Sequence, residues 1–152
     1  MEVNLLSYKG HLNTRVEKNV VLIWDPVRKQ YYDLTPEEMV RQLLILYLNE
    51  QWRIPFSLMA VEKTIEIKKK KLRFDLVVYE RKVLRPLLLA ELKKPAVPID
   101  QKVFDQLSAY QHIMQCPFLL ASNGRHTRLV ESVNNGAYRE LEKWPEQLRA
   151  WS

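Results

Sequence analysis

Two neighbouring apolar runs, RFDLVVY at 73–79 and PLLLAELK at 86–93, constrain this chain more than any other feature. Side chains alternate along a strand, so each run has two faces. On the first, Arg73, Asp75, Val77 and Tyr79 share one face, and Phe74, Leu76 and Val78 the other. On the second, Leu87, Leu89, Glu91 and Lys93 share one face, and Leu88, Ala90 and Leu92 the other. All four faces are mostly apolar, and such a sheet must be covered on both sides. An α/β fold follows, a mixed β-sheet flanked by helices.

The flanking sequence supplies the covering layers. VVLIW (20–24) reads as a buried strand, DPVRKQ as a turn and YYDL as the returning strand. TPEEMVRQLLILYLNE reads as a helix over about 36–50. Thr35 suits the N-cap, Pro36 the first turn, and Glu38 completes a Thr-x-x-Glu capping box. LMAVEKTIEI is a strand leading into the basic run Lys68–Lys71. Beyond Pro95 and Pro98 a second helix places Val103, Leu107, Tyr110 and Met114 on one face. CPFLLAS is a buried strand and NG at 123–124 a turn, while HTRLVES and AYRELEK flank the hairpin signal VNNG. A short amphipathic tail carries Leu148 and Trp151. With 152 residues and neither repeat nor linker, residues 1–152 read as a single domain with its core over about 20–142.

Three charges interrupt the two central strands. A hairpin centred on Val83 pairs Tyr79 with Leu87 and Asp75 with Glu91. Directly opposed residues have Cβ atoms about 5 Å apart. Two half-buried carboxylates stay ionised only beside positive charge. Lys93 supplies some. Hard divalent cations also bind such oxygen clusters, and Mg2+ often uses one or two carboxylates plus substrate phosphates. A purely structural Asp–Lys–Glu network has the same pattern, and a one-residue slip puts Asp75 on the opposite face.

Composition narrows the function. Three glycines leave no GxxxxGK[ST] or GxGxxG loop, so the chain carries no nucleotide-driven motor of its own. The net charge of +6 favours polyanion partners, nucleic acid first. Cys116 lies in an apolar stretch and reads as a buried structural thiol. His11, His112 and His126 have no metal-ligand spacing with it, and no G-x-S-x-G occurs. Without a signal peptide or a membrane-length apolar run, the expected location is cytoplasmic, with no membrane partner.

Asp75 followed by Glu91-Leu92-Lys93 resembles the PD-(D/E)xK nuclease superfamily. The ordered set IWDPVRKQYYDLTPEEMVRQLL, LMAVEKTIEIKKKKLRFDLVVY, LLLAELKKP, FDQLSAYQ and PFLLASNG is similar to the N-terminal nuclease domain of type I restriction enzyme R subunits. Phe74 stands where the superfamily name puts proline. The resemblance implies a restriction-endonuclease-like core and a Mg2+-dependent DNA endonuclease, with Mn2+ as an alternative ion. It implies metal ligation by Asp75, Glu91 and the Leu92 backbone carbonyl, with Lys93 orienting or activating water. Lys93 also reads as a salt-bridge partner of Glu91.

Similar nucleases place a glutamine and a tyrosine of the second helix, here Gln106 and Tyr110, along the site. A helix edge with Tyr110 in the core is the other reading. Glu38 matches a first-helix acid that reaches the metal through water, in competition with its capping role, and Glu62 is a fainter acid of that kind. Lys68, Lys69, Lys70, Lys71 and Arg73 suit phosphate contacts, as they would a solvated loop. The helicase motor that follows this domain in full R subunits is absent from this sequence. The expected partners are therefore DNA, a helicase or other restriction subunits in trans, and a second copy in a homodimer. The competing function is a catalytically weak or inactive nucleic-acid-binding or assembly subunit that keeps the fold.

Overall fold

A buried aspartate shapes the N-terminal part of the fold. Asp25 Oδ1 accepts the backbone N–H groups of Val27 at 2.7 Å and Arg28 at 2.9 Å. This local pairing builds the expected turn. The turn joins β2 (Val20–Asp25) to β3 (Gln30–Asp33), and β1 (Thr14–Glu17) pairs along the other edge of β2. β1 was not foreseen, because TRVE is short, exposed throughout and without alternation. Val16, Val20 and Val21 are exposed on this small sheet. In the computed structural model, residues 3–83, 85–133 and 137–148 are described, with all side chains except those of Ile67, residues 110–114 and Gln147.

Helix α1 spans Pro36–Trp52, two residues beyond the expected end. Thr35 Oγ1 accepts the Glu38 N–H at 3.1 Å, and Arg53, with φ of 55°, ends the helix. Its apolar stripe, Val40, Leu43, Leu44 and Leu48, is fully buried. Truncating one such leucine to alanine costs roughly 2–5 kcal/mol.

A six-stranded mixed sheet follows, ordered β4 (Met59–Ile67), β5 (Lys70–Tyr79), β6 (Pro86–Leu92), β7 (Phe118–Ser122), β8 (Thr127–Ser132) and β9 (Tyr138–Glu140). β6 and β7 run parallel, joined through helix α2 (Gln101–Met114), and the other pairs are antiparallel. Val78, Leu88, Ala90 and Leu120 pack under α1, while Val77, Leu89 and Leu119 pack with Val103, Phe104 and Leu107 of α2. The two-sided cover demanded by the apolar strands is thus present. The core reaches past 20–142, taking in Leu5, Trp144 and Leu148. β8 and β9 pair as the VNNG signal predicts, with residues 134–136 of that turn, and Trp151, outside the described residues.

Two details depart from simple alternation. Leu76–Ala90, Val77–Leu89 and Val78–Leu88 keep the expected β5–β6 register, but a bulge after Val78 pairs Tyr79 with Pro86 rather than Leu87. The faces also exchange at Asp75. Leu72 and Phe74 join Val77 under α2, whereas Leu76 and Val78 lie under α1. The β4–β5 ladder skips the Glu62–Asp75 rung, and Glu62 has a left-handed φ of 51°. The missing rung marks a local irregularity at Asp75, across which the two-residue period of β5 is broken, so Phe74 and Leu76 do not share a face.

Candidate active site

The β5–β6 ladder pairs Leu76 with Ala90, which leaves Asp75 and Glu91 as the next residue on each strand. Asp75 Oδ2 accepts the Leu92 N–H at 2.6 Å, which fixes this carboxylate against the end of β6. Lys93 Nζ donates to Glu91 Oε1 at 2.8 Å. The Lys93 backbone N–H bonds Ser122 O at 2.9 Å, anchoring the residue to the end of β7. Burial pushes the Glu91 carboxyl above the ordinary carboxylate range; Asp75 adds to this, and the Lys93 ammonium opposes it. The Lys93 pKa is raised, chiefly by its hydrogen bond to Glu91. Among the described residues, Asp75 Oδ1 and Glu91 Oε2 accept no hydrogen bond.

Helix α1 brings a second set of charges to the same place. Glu38 is buried, but its carboxylate does not close a capping box. It accepts from Arg28 and Arg41, and from Gln42 Nε2 at 3.2 Å. The Thr35 N–H, which a closed box would give to Glu38, goes to Asp33 O instead. Two guanidiniums outcompete one backbone donor because each brings a full positive charge to the carboxylate, where the N–H brings only a dipole. Arg41, only 3% exposed, also lies 3.5 Å from Glu62, 3.6 Å from Asp75 and 3.7 Å from Glu37. Arg73 pairs with Glu62 at 3.0 Å.

Sequence reasoning missed both arginines as parts of the site. The Glu38–Arg41 spacing on one helix was a visible sign of contact. Arg28 had none, since it arrives from the β2–β3 turn.

The other expected residues are less gathered. Gln106 is exposed on α2 and, among the described residues, makes no hydrogen bond to the acids. The Tyr110 side chain lies outside the described residues. Lys68 and Lys69 form the two-residue turn between β4 and β5, with φ of 50° and 66°, and Lys70 and Lys71 follow it exposed. Cys116 is buried, as expected, and its thiol is pushed up to about 12, mainly by that burial.

The donors suit a hard cation. Glu91 keeps Oε2 without a partner among the described residues, whereas Asp75 gives Oδ2 to the Leu92 N–H and faces Arg41 with Oδ1. Among the described residues no group of three or more His, Cys, Asp or Glu side chains forms a complete metal cage.

A mixed sheet covered by helices, with an acid on one strand and Glu-x-Lys ending the next, is compatible with a restriction-endonuclease-like domain. Residues 36–145 match the family Type I restriction enzyme R protein N terminus (HSDR_N), and the chain belongs to it. No curated protein matches the chain. Among the described residues no helix is long and apolar enough to cross a membrane.

Proposed function

We propose that this domain is a Mg2+-dependent endonuclease acting on DNA. The observation that carries the reading is the Asp75 carboxylate held on the Leu92 N–H, next to Glu91, with Lys93 on Glu91. Asp75, Glu91 and the Leu92 carbonyl would hold the ion. Bound there, it supplies Lewis-acid polarisation of a phosphate and a water of lowered pKa. Lys93 holds Glu91 in place and offers its ammonium to charge developing on the phosphate oxygens. DNA and further restriction subunits, including a helicase in trans, are the partners this reading assigns, and a homodimer would serve two-strand cutting.

The test is cleavage of linear, circular and single-stranded DNA with Mg2+ or Mn2+. Wild-type protein should cut. Lys93→Ala should lose about 100-fold or more in rate, as for a removed charge-stabilising donor. Equal cutting by wild type and Lys93→Ala sinks the assignment.

One observation favours a second reading, a weakly active or inactive nucleic-acid-binding or assembly subunit. The Arg41 guanidinium already lies against Asp75 Oδ1, partly supplying the charge a metal would bring. Calorimetry with Mn2+ separates the two readings: uptake abolished by Asp75→Ala supports the nuclease, and no uptake by wild type supports the binding subunit.

A further inference from the structure

We infer that the open cleft beyond the C-terminal ends of β6 and β7 binds the phosphodiester backbone of nucleic acid through Lys94 and Arg125. The inference rests on the nuclease reading for its substrate class, and it assigns the substrate path at that site.

The cleft has a volume of about 520 Å3 and is lined by Pro36, Lys94, Pro95, Ala96 and Arg125. Lys94 and Arg125 are both exposed, and among the described residues neither has a carboxylate partner. Most other arginines near the site are consumed: Arg28, Arg41 and Arg73 all hold acids. Two uncommitted cations facing one cleft attract a polyanion rather than stabilise the fold.

The two cations sit on turns locked to each other. Buried Asn123 donates from Nδ2 to Val97 O at 2.8 Å, and its Oδ1 accepts the Arg125 and His126 N–H groups at 3.0 and 2.8 Å. Val97 N bonds back to Lys94 O at 2.9 Å. One side chain therefore fixes the Lys94 turn against the Arg125 turn before any ligand arrives, which lowers the ordering cost of binding.

The position is the crevice that open α/β sheets use, outside the carboxyl ends of parallel strands. Lys94 directly follows Lys93. Pro36 opens the 17-residue helix α1, whose positive dipole end adds to the attraction. Its neighbour Glu37 opposes it, but pairs with Arg41 at 3.7 Å, and its field reaches both Glu91 and Lys93. The cleft and the acids are thus neighbours. The Lys68–Lys71 cluster is worse placed, since Lys70 is five residues up β5 from Asp75, roughly 16 Å along a strand.

The test is fluorescence-anisotropy titration of the intact chain with a labelled DNA duplex over a range of salt. Each phosphate contact contributes about 0.9 to the slope of log affinity against log salt. Lys94→Ala with Arg125→Ala should bind more weakly at low salt and reduce that slope by about two, with Mn2+ uptake unchanged. The charge-retaining pair Lys94→Arg, Arg125→Lys should restore the slope, which separates charge from misfolding. Lys69→Ala with Lys70→Ala should change it little. An unchanged slope in the Lys94/Arg125 double variant, or no DNA binding by wild type, overturns the inference. Wild type that binds DNA with this slope difference yet cuts nothing refutes the nuclease reading and leaves the cleft standing.

Discussion

Arg41 Nη2 of helix α1 lies 3.6 Å from Asp75 Oδ1 of strand β5. The other oxygen of Asp75 holds the Leu92 N–H, so this one carboxylate ties α1 to β5 and β5 to β6. Arg41 is shared among Glu37, Glu38, Glu62 and Asp75. Around it, six carboxylates (with Asp25 and Glu91) meet four cations, Arg28, Arg41, Arg73 and Lys93. Fully ionised, the network carries a formal charge of −2, the charge one divalent ion neutralises.

Asp75→Asn tests that relationship. The amide oxygen keeps the Leu92 N–H, but the amide NH2 then faces the Arg41 guanidinium, donor against donor. Stability should fall by about 1–3 kcal/mol, the scale of a mismatched buried polar group. Mn2+ uptake in calorimetry should weaken at least tenfold, about 1.4 kcal/mol. Unaltered uptake removes Asp75 from the metal site.

Glu38→Ala asks what the first-helix acid is for. Glu38 is paired with Arg28 and buried Arg41, so its removal leaves Arg28 to Asp25 and Arg41 to its longer contacts with Glu37, Glu62 and Asp75. Losing these charge-assisted bonds, with other acids still at hand, should cost about 1–3 kcal/mol. Urea unfolding should register that loss in the absence of any metal. A variant as stable as wild type that no longer takes up metal reverses the assignment to a metal acid.

Glu91→Gln tests the raised carboxyl. In the metal-free protein the folded state holds this proton more tightly than the unfolded chain, whose ordinary value is 4.5. The folded state therefore binds more protons between that value and the raised one, and stability from this group falls as pH rises through the window. The Lys93 contribution is lost only above its own raised pKa, well outside it. Glu91→Gln should melt higher than wild type near pH 7, and the gain should vanish near pH 4. A gain that is the same at both pH values contradicts the raised pKa.

Lys68→Asn with Lys69→Gly tests the β4–β5 hairpin. Both lysines sit in the left-handed region, where two-residue hairpins favour Asn-Gly. Relieving left-handed strain should add about 1 kcal/mol of stability. Metal uptake should not change, because these side chains touch none of the acids. A loss of stability means the turn has another geometry.

Much of the fold was legible from local pattern. The α1 boundaries came within two residues because Thr35 and Pro36 mark a helix start by their own chemistry. The β5–β6 register came from loop length and hairpin symmetry, and held at Leu76, Val77 and Val78. It failed at Tyr79, where a bulge intervenes, and the face assignment failed at Phe74, where Glu62 turns left-handed across the ladder. Neither irregularity has a local signature. β1 was invisible because its four residues are all exposed.

The sequence by itself determined that two central strands are apolar on both faces, that helices cover them, and that a hairpin centred on Val83 would set Asp75 against Glu91 with Lys93 beside it. Those conclusions need only the two-residue period, a hairpin and caps, which are short-range rules. Tertiary structure alone decided what Glu38 does. Its capping role was open to Thr35 across three residues, but a guanidinium from the β2–β3 turn and another from the same helix reach it first. It likewise decided which cations remain uncommitted. Arg28, Arg41 and Arg73 are consumed by acids brought from other elements, and Lys94 and Arg125 are left facing one cleft. Charge pairing in a half-buried cluster depends on which side chains converge in space, and no period along the chain encodes that.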